Sequence, residues 1–306
     1  MHLPLLDFGG EGLSATRLNE AVDAARECGY TAVSANDHFL FSRPWLDGPT
    51  ALAAVIERAA DLDLATTVSL PVLRGPLALA KVLAALDVLS DGRLLAGVGP
   101  GSSSADYALA GIPFDERWKR FDEAVRVLRH LLRGGHPPPH ASFYPIEDAQ
   151  LEPRPSQPCG IPIWIGSWGS AAGLRRVARL GDGWLASAYN TTPELFASAR
   201  GALEGELRSH GRAATEFPNA LATMWTWVTD SAGEGERTLE TVLGPLLGRR
   251  PDELGDRVCV GTPSTCIELL SRYAAAGCGR VYLWPLGDEA EQLERFADEV
   301  RPAVEP

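Results

Sequence analysis

Residues Pro76 to Gly101 read PLALAKVLAALDVLSDGRLLAGVGPG, and they spell out one unit of an alternating fold. Pro76 opens a helix, where its missing N–H would have had no partner anyway. The helical run lasts to about Leu89, Leu94 to Val98 forms a short apolar strand, and a Gly/Ser-rich loop follows. The same alternation extends in both directions. Strands are expected at Leu3–Phe8, Thr31–Ala35, Ala65–Leu70, Leu94–Val98, Pro162–Ile165, Trp184–Ser187, Ala220–Val228 and Arg280–Trp284. Helices are expected from the Ser14 cap to Cys28 with Gly29 as the stop, then at Thr50–Ala60, Glu116–Arg133, Ser170–Leu180, Pro193–His210 and Pro263–Ala276, with a last one from Asp288. Gly134–Gly160 is Pro-rich and reads as an insertion, and Asp230–Val258 reads as extra helices and turns. Strands alternating with helices imply a parallel sheet with helices outside it. Eight such units in 306 residues fit a single (β/α)8 TIM barrel spanning 1–306, with insertions after strands four, five and seven, better than an open sheet. No internal repeat beyond the βα unit and no linker between domains is evident.

Composition narrows the partners. Hydrophobic residues make up 45% and charged residues 22%, the profile of a globular chain. The formal charge of −12 disfavours nucleic acid and anionic lipid. Only Lys81 and Lys119 of the 28 basic residues are lysine, so the positive charge is almost all arginine. Five cysteines, Cys28, Cys159, Cys259, Cys266 and Cys278, form no CxxC pair, which points to buried free thiols in a reducing cytoplasm and to no metal site. No uncharged stretch approaches the ~18 residues of a membrane span.

In barrels of this kind chemistry gathers at the C-terminal ends of strands. After Thr31–Ala35 comes Asn36-Asp37-His38-Phe39. A histidine there can hold or deliver a proton, although Asp37 and His38 could simply bond to each other and fix a loop. Trp45 could wall a planar ligand, or simply be packed. After Leu94–Val98 comes Gly97-Val98-Gly99-Pro100-Gly101-Ser102-Ser103-Ser104. This pattern resembles a dinucleotide loop, but Pro100 and three serines intervene before the helix, so a nicotinamide dehydrogenase fits poorly. The glycines still let backbone approach a ligand. After Pro162–Ile165 comes Gly166-Ser167-Trp168-Gly169-Ser170, strand to helix N-terminus, which can bind an anion; the bland reading of Ser170 is an ordinary helix cap. No nucleophile elbow, P-loop, HExxH or spaced carboxylate pair is present.

Taken together, Asn36 to Phe39, Pro76 to Gly101, YALAGIPFDERWKRFDE (Tyr107 to Glu123) and IPIWIGSWGSAAGLRRVARLGDGW (Ile161 to Trp184) resemble the luciferase-like monooxygenase superfamily, the flavin- and deazaflavin-dependent oxidoreductases. The resemblance spans nearly the whole chain. It implies a (β/α)8 barrel holding a reduced flavin-type ring at the strand C-termini. Members use either FMN with O2 as monooxygenases, or the 8-hydroxy-5-deazaflavin coenzyme F420 for hydride transfer. Asp37 and His38 match the family's Asp-His pair, His38 being the proton-transfer residue. Thr67-Val68 matches a non-proline cis peptide behind the ring, and Gly166 to Gly169 a cofactor-lining loop. Sugar-phosphate-oxidising members carry a glutamate where this chain has Ser102-Ser103-Ser104; the nearest acid is Asp106.

The expected activity is therefore that of an oxidoreductase acting on a small organic substrate, with coenzyme F420 slightly favoured over FMN. An FMN-dependent, O2-using monooxygenase is the alternative, and a non-catalytic flavin-binding barrel the alternative of another class. Arg74, Arg175 and Arg176 are candidates for a local basic patch facing the cofactor's anionic tail. The resemblance also implies a homodimer, with the helices after the second and fourth strands as interface elements.

Overall fold

The computed structural model describes residues 1–8, 10, 12–133, 141–146, 150–215 and 217–304. Its elements follow one another as α1 (Ala15–Glu27), β1 (Ala32–Ala35), α2 (Gly48–Ala59), β2 (Asp63–Ser69), α3 (Pro71–Arg74), α4 (Pro76–Leu89), β3 (Leu94–Val98), α5 (Ser104–Leu109), α6 (Arg117–Arg133), β4 (Ile163–Gly166), α7 (Ala171–Leu180), β5 (Gly183–Ser187), α8 (Pro193–Ser209) and β6 (Asn219–Val228). There follow α9 (Ala232–Thr238), α10 (Gly244–Leu247), α11 (Pro251–Leu254), β7 (Cys259–Gly261), α12 (Pro263–Ala275), β8 (Val281–Pro285) and α13 (Glu289–Arg295). The strands form one parallel sheet in the order β1 to β7, with β8 paired to β6.

Two expectations are corrected here. The stretch Leu3–Phe8 is not a strand: the N-terminal segment makes only two isolated bridges, His2 to Ser34 and Leu6 to Trp45. Leu5 donates to Leu3 O and Trp45 runs antiparallel, so the segment bends instead of extending along the sheet. It still joins the sheet's edges, because His2 N donates to Leu283 O of β8, Leu3 N to Ser34 O of β1, and Ser34 N to Met1 O. The eighth strand is instead β7, three residues that pair with the end of β6 from Thr226 to Val228. It was hidden at the edge of the irregular 230–258 segment, because three residues are too few for any periodicity to register. Of the segment read as an insertion, 134–140 and 147–149 lie outside the described residues.

The sheet is buried on both faces, which is why its strands are nearly continuous apolar runs. Val33, Leu64, Leu94, Ile163 and Leu221 pack outward against helix residues such as Leu18, Leu52 and Leu83. Their strand neighbours Ala32, Ala65, Trp164 and Ala220 form a separate cluster with Leu185 and Tyr282 on the other face. The largest of these inner side chains, Trp164, needs small residues beside it: a Cβ on Gly183 would come within 2.4 Å of its ring. A third cluster ties the 230–258 helices to the barrel through Leu239, Leu243 and Leu254 against Trp225 and Trp284. All five cysteines are free; Cys259 and Cys266 are buried, whereas Cys159 is exposed, unlike the expectation for it.

Candidate active site

A cavity of about 460 Å³ opens at the C-terminal ends of β1 to β6. Its wall takes Asn36, Asp37 and His38 from the end of β1, Thr67, Val68 and Leu70 from β2, and Gly99 to Ser103 from the β3 loop. Gly166, Ser167, Trp168 and Ser170 come from β4, and Leu185 to Ser187 with Tyr189 from the end of β5. The structure thus brings together His38, Asp37, Thr67, Val68, Gly99, Gly101, Ser102, Gly166, Ser167, Trp168 and Ser170. Two other expected residues fall outside that wall. Trp45 packs behind His38, 4.7 Å between ring centroids, and edge-on to Trp284. Gly169 sits within the β4 loop, where its N–H donates to Ser167 Oγ at 3.3 Å.

Val68 is the centre of one wall. The Thr67–Val68 peptide bond is cis, and the β2–β3 register slips between Thr66 and Ser69. Glycines surround the side chain: a Cβ on Gly99 would meet Val68 Cγ2 at 2.8 Å, and one on Gly166 would meet Cγ1 at 3.1 Å. Gly97 faces the Thr66 carbonyl, 2.1 Å from where its Cβ would stand. The spaced glycines after β3 therefore serve close packing against β2, a physical reason quite separate from a dinucleotide fingerprint. At the next loop, Ser170 caps α7 by accepting from Gly173 N. Trp168 stands at the mouth, 59% exposed.

Asp37 and His38 do not bond to each other. The Asp37 carboxylate accepts Arg74 Nε and Nη2, each at 2.7 Å, and Leu70 N at 3.2 Å. Arg74 also holds Asp47. Although burial opposes its charge, these carboxylates raise the Arg74 pKa above its ordinary value. Arg74 is thus fully engaged inside the protein, and Arg176 is engaged by Asp122; neither serves as the free rim cation expected of it, and Arg175 is exposed on α7 outside the cavity wall. The arginine at the mouth is Arg117, whose guanidinium lies 3.9 Å from the Phe114 ring centroid. His38 faces Asp106 instead of Asp37, with 3.9 Å between Nδ1 and Oδ2. Burial pushes the His38 pKa down, and the charges of Asp106 and Asp37 counter it in part.

Reading of the sequence missed the far side of the cavity. Ser187 Oγ lies 3.0 Å from Thr223 Oγ1, and Asn190 Nδ2 donates to Ser187 Oγ at 3.1 Å. Arg249 Nη2 in turn donates to Asn190 Oδ1, so the 230–258 segment reaches this wall through a polar chain. Thr223 has φ of 56°, an uncommon conformation for a β-branched residue and one that costs about 1–3 kcal/mol. The rule of strand C-termini, applied to β5 as well, would have found Ser187, whereas nothing in the sequence marks the backbone of Thr223.

The profile of the luciferase-like monooxygenases matches residues 5–244. The chain belongs to this family. It is accordingly an oxidoreductase. An F420-dependent glucose-6-phosphate dehydrogenase of Amycolatopsis mediterranei (strain U-32) is 28% identical over 92% of this chain and 92% of its own. The same-named protein of Microbacterium testaceum (strain StLB037) is 28% identical over 94% and 93%. Among solved structures, the monooxygenase RslO1 of Streptomyces bottropensis superposes with a TM-score of 0.84 at 22% identity, covering 100% of this chain and 99% of that one. An F420-dependent secondary alcohol dehydrogenase also reaches 0.84, at 19% identity over 96% of both chains. These likenesses place the curled parallel sheet of this luciferase-like chain among TIM-barrel relatives. Among the described residues, no helix is long and apolar enough to cross a membrane, and no cluster of three or more His, Cys, Asp or Glu could hold a metal.

Proposed function

We propose that this luciferase-like oxidoreductase binds a reduced flavin-type cofactor in the cavity, coenzyme F420 in preference to FMN, and acts on a small organic substrate beside His38. The observation that carries the reading is the meeting of His38 with the glycine-lined Val68 wall in one cavity of about 460 Å³. A flat ring needs such a wall, since a Cβ at Gly99 would intrude on Val68. Gly99, Gly101 and Gly166 with Thr67 and Val68 would hold the ring. Ser102, Ser167, Trp168 and Ser170 would hold the polar tail near the α7 N-terminus, with Arg117 as the charge. When bound, F420 supplies a hydride donor or acceptor, and FMN a route to O2. His38 holds the proton that accompanies the transfer, and Trp45 behind it limits its rotation.

Preference for F420 rests on the relatives named for it across most of the chain. Glucose 6-phosphate is not carried over, because this chain has Ser102-Ser103-Ser104 where sugar-phosphate oxidisers carry a glutamate. Titrating the purified protein with F420 and with FMN decides the cofactor; binding of neither defeats the reading. With the bound cofactor, His38→Ala lowers turnover by about 10²–10⁴-fold while cofactor affinity persists. Reduced cofactor reoxidised neither by O2 nor by any added carbonyl compound would leave a non-catalytic binding barrel. We further infer one domain over residues 1–306, a cytoplasmic location, and a homodimer; its interface is drawn from α4, whose Leu77, Val82, Val88 and Leu89 are exposed, instead of the helices after the expected second and fourth strands.

A further inference from the structure

Two carboxylates approach His38, and they are engaged differently. Both oxygens of Asp37 are taken by Arg74, and Oδ2 also by Leu70 N. Asp106 Oδ1 accepts from Leu40 N at 2.9 Å, while its Oδ2 makes no hydrogen bond among the described residues and stands 3.9 Å from His38 Nδ1. The two groups complement each other. The Asp106 side chain is 2% exposed, and His38 Nδ1 is buried and makes no hydrogen bond. A buried polar atom left unpaired is destabilising, so closure of this gap of about an ångström is favoured. Hydrogen bonds of catalytic groups are commonly long before a ligand binds and tighten in the complex.

We infer that Asp106, not Asp37, is the positioning residue of His38: its Oδ2 accepts a hydrogen bond from Nδ1–H, which keeps the proton on Nδ1 and leaves Nε2 unprotonated toward the cavity. A histidine whose one ring nitrogen is tied to a carboxylate has its tautomer and orientation set by that bond. The inference rests on the proposed role of His38 in proton transfer. Asp37 has a separate task, clamping α3 to the end of β1 through Arg74.

The other neighbours of His38 are accounted for. Phe41 and Trp45 present rings at 5.0 and 4.7 Å. Asp37 is offset by Arg74, which also carries Asp47. Asp106 is therefore the uncompensated negative charge beside the imidazole. Burial lowers the His38 pKa and Asp106 opposes that lowering. Removing the Asp106 charge must lower the pKa further, so His38 stays neutral to lower pH: with reduced cofactor, where His38 must deliver the proton, the alkaline limb of the rate profile moves down, and with oxidised cofactor, where it accepts one, the acid limb does.

The decisive variant is Asp106→Asn, which keeps an oxygen for Leu40 N and removes only the charge. Histidine-labelled protein, without cofactor, is followed by nitrogen NMR, with the His38 signals identified by their loss in His38→Gln. Wild type is expected to show the Nδ1–H tautomer. In Asp106→Asn the His38 midpoint falls, the Nε2–H tautomer gains, and kcat drops roughly 10- to 100-fold at nearly constant KM, a part of the ~10²–10⁴-fold of a general acid or base. Asp106→Glu restores the midpoint toward wild type. A wild-type Nε2–H tautomer, or a midpoint unmoved by Asp106→Asn, overturns the inference; the tautomer alone decides should the variants not fold. If the NMR result holds but neither cofactor supports turnover, the pairing of Asp106 with His38 stands and the proposed function falls.

Discussion

At the residue scale, Asp37 and Arg74 show how neighbours in sequence and neighbours in space divide the work. Asp37 adjoins His38 in the chain, but its carboxylate is 1% exposed and turned to Arg74, 37 positions on. Truncating the cation would leave that carboxylate buried without its counter-charge, a loss that costs about 3–5 kcal/mol. Arg74→Ala is accordingly expected to lower stability by about 3 kcal/mol, read as a fall in the denaturant midpoint at unchanged m-value. An unshifted midpoint would mean that the pairing of Asp37 with Arg74 contributes nothing to stability. The Asn36–Phe39 segment was legible as a candidate because polar residues directly follow an apolar strand, with a structural loop contact as the alternative. Which carboxylate faces the imidazole was not legible, because α5 must pack back over the β1 loop before Asp106 comes near it.

At the element scale, the β2–β3 pair sets the shape of the site. The glycine spacing after β3 was visible as an unusual loop, and its resemblance to a nucleotide fingerprint was rightly set aside for its spacing. Its reason lies in the partner strand. Gly97 and Gly99 make room for the Thr66 carbonyl and for Val68. Gly97→Ala places a Cβ against main chain that cannot swing away. It is expected to destabilise by about 1–3 kcal/mol through overpacking and to weaken cofactor binding by displacing Val68. Thermal melts and a cofactor titration of the variant check both effects; full stability would show that β2 yields. The helices α1, α2, α4, α7, α8 and α12 fell close to their expected spans, since capping Ser, Thr or Asp and N-terminal Pro act locally. β7 did not, because its pairing with β6 and its burial are contacts made at a distance.

At the scale of the whole molecule, the net charge of −12 coexists with an apolar helix surface. Leu77, Val82, Val88 and Leu89 of α4 are exposed, and Lys81 is the one charged side chain on that outer face. A second copy of the chain is the proposed cover. Val82→Asp with Leu89→Asp is expected to convert the dimer to a monomer in light scattering, with the far-UV spectrum unchanged. A wild-type monomer at all concentrations would remove the dimer proposal.

Alternation of strand and helix, the family stretches and the histidine at a strand end are properties of local sequence, because propensity, capping and hydrophobic period act over a few residues. They determined the fold class, the family and the end of the sheet where the cavity opens. Only the tertiary structure decided that Asp37 belongs to Arg74, that Asp106 turns to His38, that Trp45 stands behind the histidine, and that the chain's first residues bridge β8 and β1. Apart from Trp45 and His38, seven positions apart on one loop, these are pairings between groups tens to hundreds of residues apart, and they come into being only when packing brings separate elements to one place.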